Sequence, residues 1–88
     1  PNPSRGTTQI QYQVPQANLR LVIRVYNALG QEIRHMEFQP GESGMHAVQW
    51  DGRNQFGETV SAGTYFYTIS NLAEPGKILN SGQLSRLK

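Results

Sequence analysis

The chain contains no cysteine, so neither a disulfide framework nor a thiolate metal site can form, and stability must come from packing. It also lacks a long hydrophobic run. The longest purely aliphatic stretch is three residues, at 21–23, whereas a membrane-spanning helix needs roughly 20 apolar residues. We therefore predict no membrane insertion. With 88 residues there is room for one domain, which argues against a deep catalytic cleft between two lobes.

Charge of either sign is scarce and is not concentrated anywhere. Eight Lys and Arg stand against six Asp and Glu, which gives a formal net charge of +2. The basic residues are scattered along the chain and form no run interleaved with aromatic residues. Nucleic-acid binders concentrate such residues in order to neutralise phosphates. The sequence therefore predicts no nucleic-acid partner.

Residues that carry reactive chemistry are few as well. The single aspartate, Asp51, lies in a turn-like segment, and no serine has a sequence signature that ties it to a histidine and an acid. The two histidines, His35 and His46, have no third ligand of suitable type close in sequence, which argues against a zinc site. We therefore predict that the protein is not an enzyme and has no catalytic residues, no metal and no cofactor.

The chain is instead rich in short alternations of apolar and polar residues, separated by clusters of Gly, Pro and Asn. Such alternation is typical of strands that bury one face of a sheet. Seven strands are expected, at about residues 8–14, 18–26, 31–38, 45–51, 59–60, 64–70 and 77–87. Their even spacing predicts an all-β, seven-stranded antiparallel immunoglobulin-like β-sandwich. We expect residues 7–88 to form this single domain, and residues 1–6 to be a lead-in from a preceding domain.

The stretch from residue 48 to residue 67 carries the most information about the fold. It places the only tryptophan at the end of an alternation, follows it with a Gly-rich turn and then resumes as an aromatic strand. Most of the aromatic residues fit core packing. We assign structural roles to five residues of this stretch: Trp50, Asp51, Gly52, Gly63 and Tyr65.

The same turn offers the candidates for ligand contact. Asp51, Asn54 and Glu58 could supply oxygens to Ca²⁺, but Asp and Asn side chains commonly accept backbone N–H bonds in their own turns. We favour the turn because the spaced carboxylates of an EF-hand are absent. Phe56 is the aromatic residue that we expect to be exposed. Phe56 and Asn54 are therefore the candidate ligand contacts.

Five segments in a fixed order carry a resemblance to known families. They are residues 1–3 (PNP), 8–15 (TQIQYQVP), 21–30 (LVIRVYNALG), 50–52 (WDG) and 62–67 (AGTYFY). Together they resemble the C-terminal sorting domains of type IX secretion cargo, and also the immunoglobulin-like domain of flagellar hook-capping proteins. The resemblance covers nearly the whole chain. It implies a sandwich at the C-terminus of a larger exported bacterial protein, located outside the cell or on its surface.

The function that the resemblance implies is type IX secretion sorting or cell-surface attachment. The partner would be the secretion or attachment machinery, and four residues of the last strand would contact it: Gln83, Leu84, Arg86 and Lys88. The alternative is an accessory domain, either one that binds a polysaccharide through Phe56 or a structural one that packs on a parent catalytic domain. Fold alone does not choose among these functions.

Overall fold

Six antiparallel strands form the computed structural model, which describes residues 6–87 apart from the side chain at position 75. In chain order the strands are β1 (Thr8–Val14), β2 (Leu21–Tyr26), β3 (Glu32–Phe38), β4 (Gly44–Trp50), β5 (Gly63–Asn71) and β6 (Glu74–Arg86). Strands β1 and β4 pair in one sheet, and the other sheet has the order β3-β2-β5-β6. The all-β, antiparallel prediction is confirmed.

The core lies between the two sheets and is supplied by alternate residues of each strand. In β1, residues 8, 10, 12 and 14 are buried and the intervening glutamines are exposed, as the period-two alternation predicts. Trp50 at the end of β4 and Tyr65 of β5 meet edge to face, with ring centroids 5.6 Å apart. Tyr12 of β1 similarly meets Phe38 of β3 at 5.4 Å. These ring contacts join the two sheets into a sandwich.

The predicted seventh strand, at residues 59–60, is not confirmed. Within residues 6–87 this segment forms one isolated bridge, between Arg53 and Thr59. Two residues between a tight turn and the next Gly-containing turn are too few to build a ladder. The predicted lead-in at residues 1–6 lies outside the described residues except for Gly6.

The last strand begins earlier than the sequence suggested. We expected the last strand to begin at about residue 77, but the Asn71 side chain accepts the Ala73 N–H at 3.0 Å and closes a tight turn. Strand β6 therefore starts at Glu74. It is an edge strand, where a proline is tolerated because its missing N–H is not needed for a ladder.

Burial of Tyr12 predicts a loss of stability in alkali. Desolvation raises the pKa of the Tyr12 phenol above its ordinary value. The unfolded chain ionises this phenol near pH 10 while the folded domain still holds it neutral, so the free energy of unfolding should fall as the pH rises above about 10. Urea denaturation at pH 8 and at pH 11 measures this loss. Tyr12→Phe should lose less stability between the two pH values, and equal losses for the two proteins would contradict the assignment.

Candidate functional site

The candidate site is the turn that follows Trp50, called here the 51–58 turn. Trp50 is fully buried and its indole N–H donates to the Arg53 carbonyl at 2.9 Å, which fixes the first residues of the turn. The Asp51 carboxylate accepts the Arg53 N–H at 3.0 Å. The Val60 N–H donates to the Gly52 carbonyl at 2.9 Å and closes the base of the turn. The turn therefore starts from a fully buried core residue.

Asn54 organises the tip of the 51–58 turn. Its side-chain oxygen accepts the backbone N–H groups of Phe56 at 2.9 Å and Glu58 at 3.0 Å. Its side-chain amide donates to the Glu58 carboxylate at 3.0 Å. Its own N–H donates to the Glu58 carbonyl at 2.8 Å, and its carbonyl accepts the Gly57 N–H at 3.0 Å. These bonds support the turn interpretation of Asn54, because its oxygen is already occupied.

Strand β3 holds the other side of the turn. The Gln55 N–H donates to the Ile33 carbonyl at 2.8 Å, and the Gln55 side-chain oxygen accepts the His35 N–H at 3.0 Å. The Arg34 guanidinium donates to the Asp51 carboxylate at 3.3 Å and to the Arg53 carbonyl at 3.1 Å. The sequence pattern does not indicate Arg34 or Gln55, because contacts between residues about 20 apart leave no local pattern.

Phe56 projects from this fixed turn into solvent, with 87% of its surface exposed. The backbone on both sides of it is bonded through Gln55 and Gly57. A ring presented in this way loses little conformational entropy when it enters a pocket on a partner. Phe66 on β5 is also partly exposed, so Phe56 is not the single exposed aromatic residue that we expected.

Arg86 of β6 packs against the start of the 51–58 turn, beside Trp50 and Gly52. Its guanidinium lies 5.3 Å from the centre of the Trp50 ring, and it donates to the Gly6 carbonyl and, at 3.3 Å, to the Thr8 hydroxyl. Only 5% of Arg86 is exposed. Gly52 has a φ of +76° and packs against the guanidinium, so that an added Cβ would overlap it. The missing side chain of Gly52 therefore makes the space that Arg86 fills.

The other two residues with predicted structural roles lie at the start of β5. Gly63 has a φ of +147°, in a region that favours glycine. Tyr65 is buried, and its hydroxyl donates to the Ser61 carbonyl at 2.7 Å. This bond ties the chain that leaves the 51–58 turn to the first residues of β5.

The predicted partner-binding residues of the last strand lie in different environments. Gln83 is exposed, whereas Leu84 belongs to the hydrophobic core and Arg86 lies under the 51–58 turn. Lys88 is outside the described residues. Since Leu84 and Arg86 face inward, the strand does not present the four residues as one surface. Partner contact at these positions stays a prediction.

The features of this site are those of a contact surface. Among the residues that the structure describes, no three His, Asp or Glu side chains lie close enough together to hold a metal ion. Over the same residues, no helix is long and apolar enough to cross a membrane. What the 51–58 turn offers is an exposed ring on a hydrogen-bonded support, an arrangement suited to binding a protein surface.

Comparison with known proteins gives the family. The sequence profile of the FlgD Ig-like domain matches residues 2–74, which is most of the chain and ends where β6 begins. A search of curated proteins found no match. The match therefore covers β1 to β5 and the whole 51–58 turn.

Solved structures of FlgD proteins have the same fold. FlgD from P. aeruginosa aligns with a TM-score of 0.70 at 18% identity, over 90% of this chain and 58% of that one. FlgD from Xanthomonas campestris, described in connection with hook capping essential for flagellar assembly, aligns at 0.68 and 17%, over 91% and 55%. Truncated FlgD from Helicobacter pylori aligns at 0.66 and 18%, over 92% and 60%. The chain thus spans little more than half the length of these proteins.

These findings correct the predicted function and partners. Type IX secretion sorting or surface attachment is wrong, because the matching profile and the similar structures are those of FlgD. The alternative of an accessory module, with a polysaccharide or a parent catalytic domain as partner, is wrong for the same reason. Of the two resemblances seen in the sequence, the one to hook-capping proteins is confirmed: the chain belongs to the FlgD Ig-like domain family.

Proposed function

We propose that this chain is a non-catalytic domain of a flagellar hook-capping protein, and that it acts there as a rigid scaffold through contacts with other proteins. The observation that carries the proposal is the match of the FlgD Ig-like profile to residues 2–74. The shared fold of three FlgD structures supports it. In this proposal the protein is exported and works outside the cell at the growing hook.

The domain organisation belongs to the same proposal. Residues 7–88 would be one domain, and residues 1–6 would lead into it from a preceding one. The similar FlgD chains are longer than this one, which supports the presence of further protein around the domain.

The 51–58 turn supplies a surface through which such a scaffold could act. The Phe56 ring is exposed to solvent, and the hydrogen bonds of Asn54 and Gln55 hold its backbone in place. Binding through a pre-ordered anchor is less costly than binding through a mobile loop. We therefore propose Phe56 as a contact with the neighbouring protein in the cap.

Deletion of residues 7–88 in frame from the encoding gene tests the function. Electron microscopy of the cells should show loss of flagellar hooks, and a plasmid copy of the intact gene should restore them. Normal hooks in the deletion strain would overturn the proposal, and so would the absence of flagella from the organism that encodes the chain.

A point substitution tests the contact without unfolding the domain. Phe56→Ala should reduce the number of hooks per cell, because it removes the anchor ring. Leu29→Ala is the matched control, since Leu29 is a large apolar residue that is 84% exposed in a different turn. Both variants should unfold at the temperature of the unchanged protein. Equal hook numbers for the two variants would contradict the role of Phe56 while leaving the deletion result to decide the function.

A further inference from the structure

The free edges of the two sheets are protected to different degrees. Strand β3 is an edge strand, and the 51–58 turn bonds to it at Ile33 and His35. It also carries charged residues along its length, at Glu32, Arg34 and Glu37. Strand β6 carries charge at Glu74 and Lys77, and its pairing with β5 is irregular near Ile69. Charges, bulges and covering loops are the usual means of preventing strands from pairing between molecules.

Strand β4 has an open edge. Gln13 of β1 directs its carbonyl away from β4, toward the Asn80 amide of β6 at 3.2 Å. The N–H and C=O of one strand residue point the same way, so the Gln13 backbone does not bond to β4. The backbone hydrogen bonds between β1 and β4 are therefore made by every second residue pair, such as Tyr12 with His46. The backbone groups of residues 45, 47 and 49 then face outward. Among the described residues, none of these three makes a backbone bond outside the β1–β4 ladder.

The open edge also lacks the features that would discourage pairing. No residue of β4 is a lysine, arginine, aspartate, glutamate or proline. The solvent face of the β1–β4 sheet is equally uncharged, since Gln9 pairs with Gln49, Gln11 with Ala47 and Gln13 with Met45. Met45 is 64% exposed on this face. Within the described residues, β4 is therefore an edge strand that is ready to accept another strand.

We propose that β4 pairs with β4 of a second copy of this chain, antiparallel about a two-fold axis at Ala47. The three outward-facing residues are symmetric about that position, so Ala47 meets its own counterpart and Met45 meets Gln49 of the second copy. No like charges approach one another, and the small Ala47 side chain leaves room at the axis. The half-buried Val48 would cover His46 of the second copy on the inner face. Two sandwiches thereby share one four-stranded sheet, independently of the function proposed above.

Sedimentation velocity of the 88-residue chain tests this pairing, over concentrations up to about 1 mM because short interfaces are weak. The unchanged protein should shift from monomer to dimer as its concentration rises. Ala47→Lys and Ala47→Glu each place like charges at the axis and should raise the dimer dissociation constant about tenfold or more. An equimolar mixture of the two variants should form a heterodimer, since opposite charges then meet.

Two further variants control for charge and for folding. Gln11→Lys puts the same charge on the same face but on β1, away from the edge, and should dimerise like the unchanged chain. Ala47→Pro removes one outward N–H without touching the β1–β4 ladder and should also prevent pairing. A chain that stays monomeric at every concentration would overturn the proposal. A dimer that survives Ala47→Pro and Ala47→Lys would overturn it too, because the interface would then lie elsewhere.

Discussion

Replacing Trp50 with alanine should lower the free energy of unfolding by about 3–5 kcal/mol, the usual cost of deleting a large buried aromatic ring. Trp50 is fully buried, meets Tyr65 edge to face, lies under Arg86 and bonds to the Arg53 carbonyl. Small domains have only about 5–15 kcal/mol of net stability, so this loss should be a large fraction of the total. Chemical denaturation followed by circular dichroism measures the loss without needing the tryptophan signal.

Phe56→Ala is the matched control for Trp50→Ala. It also deletes an aromatic ring, but one that is 87% exposed, and exposed substitutions usually change stability by no more than about 0.5 kcal/mol. Similar losses for the two variants would show that Trp50 does not hold the sheets together as the structure indicates.

The second large effect is expected at Gly52, where alanine should destabilise the domain by about 3 kcal/mol or more. Part of the cost is the left-handed backbone, about 1–2 kcal/mol for a residue with a Cβ. The rest comes from Arg86, which the new Cβ would displace from its bonds to Gly6 and Thr8. Hydrogen bonds to a charged group contribute about 1.5–3 kcal/mol each to the free energy of unfolding. The measurement is again chemical denaturation.

Gly57→Ala separates the two parts of this cost. Gly57 has a φ of +84°, and nothing lies within 4 Å of where its Cβ would be. The loss of stability in Gly57→Ala should therefore come from the left-handed backbone alone. In an Arg86→Ala background, Gly52→Ala should cost no more than Gly57→Ala does, because the obstructing guanidinium is gone. An excess that persists in that background would mean that Arg86 is not the residue that makes glycine necessary at position 52.

The sequence predicts those parts of this fold that depend on near neighbours. The alternation in β1 and β4 assigns every side chain to the correct face, because a strand that is buried on one side repeats every two residues. The turn at Asn54 is also predictable, because an asparagine bonds to the N–H groups that follow it. The expected exposure of Phe56 rests on the same local pattern of glycine on one side and polar residues on the other.

The parts that could not be predicted depend on residues far apart in the chain. The bond from Arg34 to Asp51 spans 17 residues and that from Arg86 to Gly6 spans 80. An arginine near the end of a strand is expected at the surface. Burial of its guanidinium requires an aromatic ring to stack on and an empty space, and both must come from residues in other parts of the chain. Here Trp50 supplies the face and Gly52 the volume. No local spacing of residues predicts that these three side-chain positions come together.

The bonds from Arg86 to Gly6 and Thr8 also set an order of events during protein synthesis. The ribosome adds about 5–20 residues each second, so it adds Thr8 roughly 4–16 s before Arg86. Once β4 has also emerged, β1 can pair with it, but the end of the sandwich beside Trp50 stays open to water until Arg86 follows. This end of the sandwich is therefore completed only when Arg86 emerges. A nascent chain that stops before Arg86 would lack the guanidinium that joins β6 to Gly6 and Thr8 at this end of the sandwich.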